Sequence, residues 1–366
     1  MKKITYIFSN GRIKRINNKE YAEDFFYGYR HLSETKLETK IIEFKKLNPL
    51  LKLIEHNLSK IFSLPLYIFS LLDRKNINTF KNSDYLLLVS ESAGFAALPL
   101  LVLLKKRYKI YTSMYVMGLF SKNIKFPLFK NIHFALIKYL ASYIDKLYFL
   151  GHKEYEIATR HLKNENKLVS LPFYVDTQFW TDSDYNVKHK DKILFIGNDG
   201  NRNYDLLISI AKKMKHRKFI FVSSNPKLLS LELENIEIIK GSWSNEHLSD
   251  KRLKDIYTSA RMVILPLKNS TQPSGQSVTL QAMSLRVPVL ISLTDGFWDT
   301  HNFIEDKNIF FERENTLDSW VDRIDNLFID TKKLDFISKN SSQLIKKNYD
   351  IEIFNKFMIN EVTQRQ

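Results

Sequence analysis

The sequence contains no cysteine among its 366 residues. This absence excludes disulfide bonds, thiolate zinc sites, iron–sulfur clusters and cysteine nucleophiles. Internal repeats and low-complexity stretches are also missing, and the apolar run at residues 4–8 is too short for the core of a signal peptide. We therefore expect a folded intracellular protein, whose length favours two domains that can each bury a core.

Motifs for metals and for common nucleotide cofactors are missing as well. The sequence has no Gly-rich Walker loop, and the GNDG turn at residues 197–200 lacks the spacing of a dinucleotide fingerprint. Paired His or Asp residues at metal-ligand spacing are absent, apart from a weak Asp-x-Asp at residues 182–184. We therefore expect neither an NAD enzyme nor a metal cofactor.

The chain is strongly basic, with 56 Lys and Arg against 40 Asp and Glu, which gives a net charge of +16. Such a charge favours an anionic partner: a membrane surface, a nucleic acid or a phosphorylated ligand. Residues 45–75 and 120–140 mix Lys with Leu, Ile and Phe, as in helices that lie on anionic membranes. The alternative is ordinary helices with solvated lysines and apolar core faces. We expect contact with an anionic membrane surface and no nucleic-acid partner.

Residues 85–104 (YLLLVSESAGFAALPLLVLL) approach the length of a membrane-spanning helix. Glu91 lies inside this stretch, and Gly94 and Pro99 interrupt it. Because a charged side chain in mid-membrane is costly, the stretch predicts a buried strand at residues 85–89, a turn and a core helix.

Short apolar runs typical of strands alternate with helical stretches along the whole chain. This pattern predicts an α/β fold with parallel sheets. A helix is expected at residues 20–37, where Tyr21, Phe25, Tyr29 and Leu32 share one face. The expected architecture is two Rossmann-like, doubly wound domains facing each other across a ligand-binding cleft. The expected segments are a first domain at residues 1–172, a linker at 173–190, a second domain at 191–345, and a C-terminal helix at 346–366 that packs on the first domain.

Residues 265–292 (LPLKNSTQPSGQSVTLQAMSLRVPVLIS) predict a strand, a polar loop, a short helix and another strand. A loop of Ser, Gly and Gln at a helix N-terminus offers backbone N–H groups and the positive end of the helix dipole to a phosphate. The alternative is an ordinary capped helix with Ser274 or Ser277 as the cap.

Three segments, in this order along the chain, resemble GT-B glycosyltransferases of the family-4 type: SLPFYVDTQFW (residues 170–180), KILFIGNDGNRNYDLL (192–207) and QSVTLQAMSLRVPVLIS (276–292). The resemblance implies an enzyme that takes its donor, a UDP- or GDP-sugar, in the C-terminal domain. It implies an acceptor facing the N-terminal domain. It also implies retention of anomeric configuration and a reaction without a metal ion.

The resemblance assigns roles to single residues. Gln281 stands where the family has an acidic residue that binds the donor ribose, and Pro273 stands where it has another beside the sugar, so the paired carboxylates are missing. The cations expected at the diphosphate are Arg202 and Lys268, whose alternative is that both are solvated surface charges. The donor loops are expected to contribute Gly197, Ser274, Gly275, Gln276 and Ser277.

Base recognition is expected after the middle strands of the second domain, at Ser223 and Trp243, although a lone Trp can equally serve packing. In the first domain Glu91 follows a predicted strand and is flanked by apolar runs. Desolvation would raise its pKa, which suits proton transfer from an acceptor hydroxyl. The alternative is a structural carboxylate that interacts favourably with the dipole at a helix N-terminus. Glu23 and Asp24, at the start of the predicted first helix, have the same two interpretations.

The expected function is sugar transfer to a glycan or lipid-linked glycan in bacterial surface-polysaccharide synthesis, as for capsule or lipopolysaccharide. The expected location is cytoplasmic, on the inner face of the cytoplasmic membrane. Two alternatives stay open: a non-catalytic GT-B-like partner of another transferase, and a nucleotide-sugar epimerase on the same fold.

Overall fold

The computed structural model describes residues 2–122, 124–241 and 248–363. The chain divides into two units, each with its own sheet. Unit 1 comprises Met1–Asn18, Phe25–Pro172 and Phe354–Gln366, and unit 2 comprises Lys19–Asp24 and Phe173–Ile353.

Unit 1 is built on a six-stranded sheet with the order β2-β1-β3-β4-β5-β6, in which every pair is parallel. The strands are β1 (Lys3–Phe8), β2 (Glu38–Glu43), β3 (Tyr85–Leu88), β4 (Tyr111–Val116), β5 (Lys146–Phe149) and β6 (Leu168–Ser170). The helices are α1 (Ile13–Ile16), α2 (Tyr29–Ser33), α3 (Pro49–Phe62), α4 (Arg74–Lys81), α5 (Glu91–Tyr108), α6 (Lys130–Ser142) and α7 (His152–Leu162). Short 3-10 turns lie at Asp24–Phe26, Pro127–Phe129 and Glu165–Lys167.

The apolar stretch at residues 85–104 folds as predicted, into β3 and the first part of α5. All four residues of β3 are buried, as in a strand covered by helices on both faces. Ser90 caps α5 by accepting a hydrogen bond from the Ala93 N–H at 3.3 Å. Among the described residues, no helix combines the length and the apolar character that a membrane crossing requires.

The continuous helix predicted at residues 20–37 is wrong. The chain turns at Tyr27 and Gly28, which have φ angles of 51° and 71°, and only Tyr29–Ser33 forms α2. A side chain at position 28 would also collide, since its Cβ would lie 2.7 Å from Asn355 Oδ1. The regularly spaced apolar residues from Phe25 onward lie on two separate short elements, the 3-10 turn at Asp24–Phe26 and α2, rather than on one continuous helix.

Unit 2 has a second parallel sheet with the order β12-β11-β10-β7-β8-β9. The strands are β7 (Lys192–Ile196), β8 (Lys218–Ser223), β9 (Ile236–Lys240), β10 (Ala260–Leu265), β11 (Val289–Ser292) and β12 (Phe310–Glu312). The helices are α8 (Tyr204–Lys213), α9 (Pro226–Leu229), α10 (Asp250–Ser259), α11 (Gln276–Ser284), α12 (Leu317–Ile329) and α13 (Thr331–Asn348). The last helix, α14 (Ile351–Thr363), has only its first three residues in unit 2. A short 3-10 turn lies at Val187–His189. From Phe354 onward α14 belongs to unit 1.

In both sheets the strand order reverses beside the first strand, at β1 and at β7. Ligands of open parallel sheets bind outside the carboxyl ends of the strands at this reversal. The predicted α/β class with two parallel, doubly wound sheets is therefore confirmed, and the search for a site begins at these edges.

Candidate functional site

Two loops of unit 2 meet at the carboxyl ends of the neighbouring strands β7 and β10. We call residues 197–203 and 266–275 the edge loops. The Asn203 N–H donates to the Pro266 carbonyl at 2.9 Å, and the Lys268 N–H donates to the Asn201 carbonyl at 2.8 Å. The Asn201 side chain adds a hydrogen bond of 2.8 Å to Ser274 Oγ. The edge loops thus bring the predicted residues of two distant sequence motifs together.

Arg202 is buried under the edge loops, with 4% of its surface exposed. Its Nη1 lies 3.3 Å from Asp199 Oδ2, but Nε and Nη1 make no hydrogen bond within the described part of the chain. A Cβ on Gly197 would lie 2.2 Å from Arg202 Nε, and one on Gly275 would lie 3.5 Å from Nη1. Gly197 therefore leaves room for the guanidinium, and Gly275 lies within contact distance of it. The buried N–H donors of the guanidinium fit an anion.

The N-terminus of α11 lies beside this guanidinium. Gly275 precedes the helix with φ of 82°, and none of the described side chains caps it. Neither Ser274 nor Ser277 is therefore the cap, and Ser274 instead holds Asn201. An anion at this end is favoured by the helix dipole.

The other predicted residues of the edge loops differ in exposure. Ser274, Gly275 and Gln276 are buried, Ser277 is half-buried and Lys268 is exposed. The positive charge of Lys268 is thus exposed to solvent, whereas that of Arg202 is buried.

The carboxyl ends of β8 and β9 form the neighbouring part of the same edge. The buried Ser223 hydroxyl donates to the Gly197 carbonyl at 2.6 Å, which ties β8 to the end of β7. Asn198 Nδ2 and Ser224 Oγ both donate to the Gly241 carbonyl, at 2.9 and 3.0 Å. Trp243, the other candidate for base recognition, lies outside the described residues.

Gln281 is buried in α11 with both ends of its amide hydrogen-bonded. Its Nε2 donates to Asp24 Oδ2 at 2.8 Å, and its Oε1 accepts from the Tyr257 hydroxyl at 3.1 Å. Asp24 also accepts from Trp180 Nε1 at 2.7 Å and from the Asp176 N–H at 2.6 Å. Burial raises the pKa of Asp24 to about 8.

In unit 1, Glu91 begins α5 at the carboxyl end of β3. It is nearly fully buried and accepts a hydrogen bond from the Met117 N–H, just after β4. Burial raises its pKa, as the apolar flanks predict.

A second buried carboxylate, Glu154 in the first turn of α7, was missed by sequence reasoning. It accepts from the Gly118 and Phe120 N–H groups at 2.7 and 2.8 Å. Burial and the charge of Glu91 raise its pKa to about 8. The available signal was its place in the first turn of the helix after strand β5, as Glu91 lies in the first turn of the helix after β3. Together the two carboxylates hold the loop at residues 117–120.

Metal ligands are not grouped in the described ranges 2–122, 124–241 and 248–363: no three His, Asp or Glu side chains there could hold a metal ion.

Residues 190–330 match the family model described as glycosyl transferases group 1. Solved structures with the same fold cover the whole chain. HepE (Alr3699) of Anabaena, solved with UDP and glucose, superposes with a TM-score of 0.68 and 12% identity over 100% of both chains. Sucrose-phosphate synthase from Thermosynechococcus elongatus superposes with a TM-score of 0.70 and 11% identity, covering 100% of this chain and 99% of its own. A glycosyltransferase from Rickettsia africae ESF-5 superposes with a TM-score of 0.64 and 12% identity, covering 100% of this chain and 99% of its own. No curated protein sequence matches the chain.

The chain has the GT-B fold, with two Rossmann-like domains. Residues 190–330 thus resemble glycosyl transferases group 1, and this match supports the class of enzyme expected from the sequence. The edge loops and α11 all lie within the matched residues.

Proposed function

We propose that the protein transfers a sugar from a nucleoside-diphosphate sugar to a hydroxyl of a glycan or lipid-linked glycan. The observation that carries this proposal is the buried Arg202, whose Nε and Nη1 make no hydrogen bond in the described part of the chain and lie beside the N-terminus of α11. UDP is the proposed nucleotide, because HepE, which shares the fold, was solved with UDP-glucose.

The diphosphate would be held by Arg202, Lys268 and the backbone of Ser274, Gly275, Gln276 and Ser277, with Gly197 leaving room for the arginine. Negative charge grows on the diphosphate as the sugar leaves, and fixed N–H donors stabilise that charge without reorganisation. This cationic set would serve in place of a metal ion, so the proposed reaction is metal-independent. Retention of configuration is the proposed outcome, following the resemblance to family 4.

The nucleoside would extend along the ends of β7, β8 and β9. Ser223 and Trp243 remain the proposed contacts to the base. For Gln281 to bind a ribose hydroxyl, it would have to exchange its hydrogen bond to Asp24 or Tyr257 for one to the donor. We propose that exchange as part of donor binding.

The acceptor would belong to the first domain, at residues 1–172, and the donor to residues 191–345. Glu91 is the proposed base for the acceptor hydroxyl, and its raised pKa supports a role in proton transfer. The proposed acceptors are intermediates of a bacterial surface polysaccharide such as capsule or lipopolysaccharide. These are assembled at the cytoplasmic face of the membrane, where a chain of net charge +16 would be attracted to anionic lipid.

The test is release of free nucleotide from UDP-glucose, UDP-N-acetylglucosamine and GDP-mannose, with and without a lipid extract as acceptor. We expect acceptor-dependent turnover with one donor, unchanged by EDTA and strongly reduced in Arg202→Ala. The control Arg252→Ala removes an exposed arginine of α10 and should behave as wild type. Turnover that disappears with EDTA would contradict the metal-independent scheme.

A second candidate is a non-catalytic binding partner of another transferase. It is favoured by Pro273 and Gln281, which stand where the family has acidic residues. Nucleotide binding without turnover of any donor would support it. An epimerase would instead convert the donor alone, with no acceptor.

A further inference from the structure

Helices α3 and α6 of unit 1 contact each other where α3 ends and α6 begins. The rings of Phe62 and Phe129 lie 5.7 Å apart, and His133 Nδ1 is 2.7 Å from the Phe62 carbonyl. The Lys125 N–H donates to Ser63 Oγ at 3.1 Å, which joins the segment before α6 to the end of α3. We call the described residues of 45–63 and 121–142 the α3–α6 face.

The α3–α6 face exposes large apolar side chains to solvent. Leu128 is 86% exposed and Leu50 is 66% exposed. The other exposed members are Leu53, Ile54, Phe126, Ile132 and Tyr139. Their spacing puts Leu50, Leu53 and Ile54 on one side of α3. Ile132 and Tyr139 fall on one side of α6 by the same spacing, and Leu128 lies in the 3-10 turn just before that helix. Large apolar side chains exposed in such number on neighbouring elements mark a contact surface.

The charge of this face has one sign. Its eight lysines are all exposed: Lys45, Lys46, Lys52, Lys60, Lys122, Lys125, Lys130 and Lys138. The segments contain one acidic residue, Glu55, which is buried and accepts from the Phe69 N–H at 2.7 Å. The described residues of the face therefore expose no carboxylate that could neutralise the lysines.

A groove of about 560 Å³ opens at the edge of the face. Its polar lining comprises His56, Ser59, Lys60, Ser63, Lys122 and Lys125. Ammonium and hydroxyl donors converging on a groove suit a phosphate group.

We propose that the α3–α6 face docks on an anionic phospholipid bilayer, with its leucines in the lipid interface and a headgroup phosphate in the groove. The proposal rests on the membrane association in the proposed function and names the surface responsible. Apolar side chains framed by lysines are the composition that binds such interfaces. A second copy of the chain would bring eight lysines against eight, which disfavours self-association. Single-stranded nucleic acid binds with its bases stacked on aromatic rings, whereas the exposed apolar side chains of this face are mainly aliphatic.

The test is flotation of the full-length protein with vesicles of phosphatidylglycerol and phosphatidylcholine in equal parts, compared with phosphatidylcholine alone. Wild type should float with the anionic vesicles only. Two variants change the face: Lys60→Glu/Lys125→Glu/Lys130→Glu and Leu50→Ser/Leu53→Ser/Leu128→Ser. Each should lower vesicle affinity by roughly ten-fold or more.

Matched controls place the same kinds of change in unit 2, at exposed positions outside the face. They are Lys212→Glu/Lys215→Glu/Lys346→Glu and Leu229→Ser/Ile329→Ser. The proposal is overturned if the wild-type protein does not bind anionic vesicles. It is also overturned if the face variants float as wild type does, or if the controls lose as much vesicle affinity as the face variants. Tighter binding of an oligonucleotide than of vesicles, or a dimer abolished by the face variants, overturns it in favour of that partner.

UDP binding in solution separates this proposal from the proposed function. The face variants should bind UDP as wild type does, because the edge loops are in the other unit. If wild type binds vesicles but no nucleotide, the docking face stands and the proposed function fails.

Discussion

The side-chain amide of Gln281 donates a hydrogen bond of 2.8 Å to the carboxylate of Asp24, a residue 257 positions earlier in the chain. The family pattern has an acidic residue at position 281. A glutamate there would put a second carboxyl group against Asp24, in a site where burial already raises the Asp24 pKa to about 8. The pair has one acid and one amide, and the acid lies on the segment Lys19–Asp24 rather than on α11.

Gln281→Glu should therefore lower the free energy of unfolding, by roughly 3 kcal/mol, because one of two adjacent buried carboxyl groups loses its donor. Urea denaturation measures the change. The control Gln178→Glu makes the same substitution at an exposed position near Trp180 and should be close to neutral. The double variant Asp24→Asn/Gln281→Glu restores one acid and one amide. Its loss in free energy of unfolding should be smaller than the sum of the losses in the two single variants. Strictly additive losses would contradict the pairing of Gln281 with Asp24.

Gly197→Ala should weaken UDP binding by roughly ten-fold or more, because the added Cβ would lie 2.2 Å from Arg202 Nε and displace the guanidinium. Gly200→Ala in the same turn is the matched control, since no atom lies within 4 Å of a Cβ there. Thermal shift with UDP reports both variants. Equal shifts in the two would show that the position of Arg202 does not matter for the nucleotide.

Glu91→Gln should reduce kcat by about 10²-fold or more, as for loss of a general base, and leave the UDP affinity unchanged. Steady-state kinetics with a fixed acceptor measure the first quantity, and calorimetry measures the second. Glu91→Gln with wild-type kcat would return Glu91 to a structural role, that of holding the Met117 N–H.

Stability should fall as pH rises from about 5 to 8, in part because of Glu154. Its pKa is about 8 in the folded protein and near the ordinary glutamate value when unfolded. The folded state thus binds more protons than the unfolded state across this window, so the slope of unfolding free energy with pH is negative. Each such group contributes at most about 1.4 kcal/mol per pH unit.

Glu154→Gln should flatten that slope. Glu156, two residues away and half-buried, has its pKa lowered by the hydrogen bond from Lys153, so Glu156→Gln should leave the slope unchanged. Urea unfolding at pH 5.5, 7 and 8.5 provides the comparison. An unchanged slope in Glu154→Gln would mean that its carboxyl group ionises in the folded protein as it does in the unfolded chain.

Local sequence patterns were enough to predict β3, α5 and the loop before α11. Each of these elements is set by its own run of apolar residues or by its own Pro, Ser and Gly residues. The sequence motif also placed Arg202 in a turn after β7. The motif could not reveal that Arg202 is buried beneath Gly197 and Gly275, because that contact depends on two loops about 70 residues apart.

The remaining differences also come from tertiary contacts. Asp24 looked like one more carboxylate at a helix start, and its partners Trp180 and Gln281 are remote in sequence. The turn at Gly28 depends on space beside Asn355, which no local pattern encodes.

Calorimetric titration of UDP into wild type, Arg202→Ala and Arg252→Ala tests the central claim most directly. The account predicts binding to wild type and to Arg252→Ala, and a loss of roughly ten- to hundred-fold in Arg202→Ala. Equal UDP affinity in wild type and a folded Arg202→Ala would contradict it.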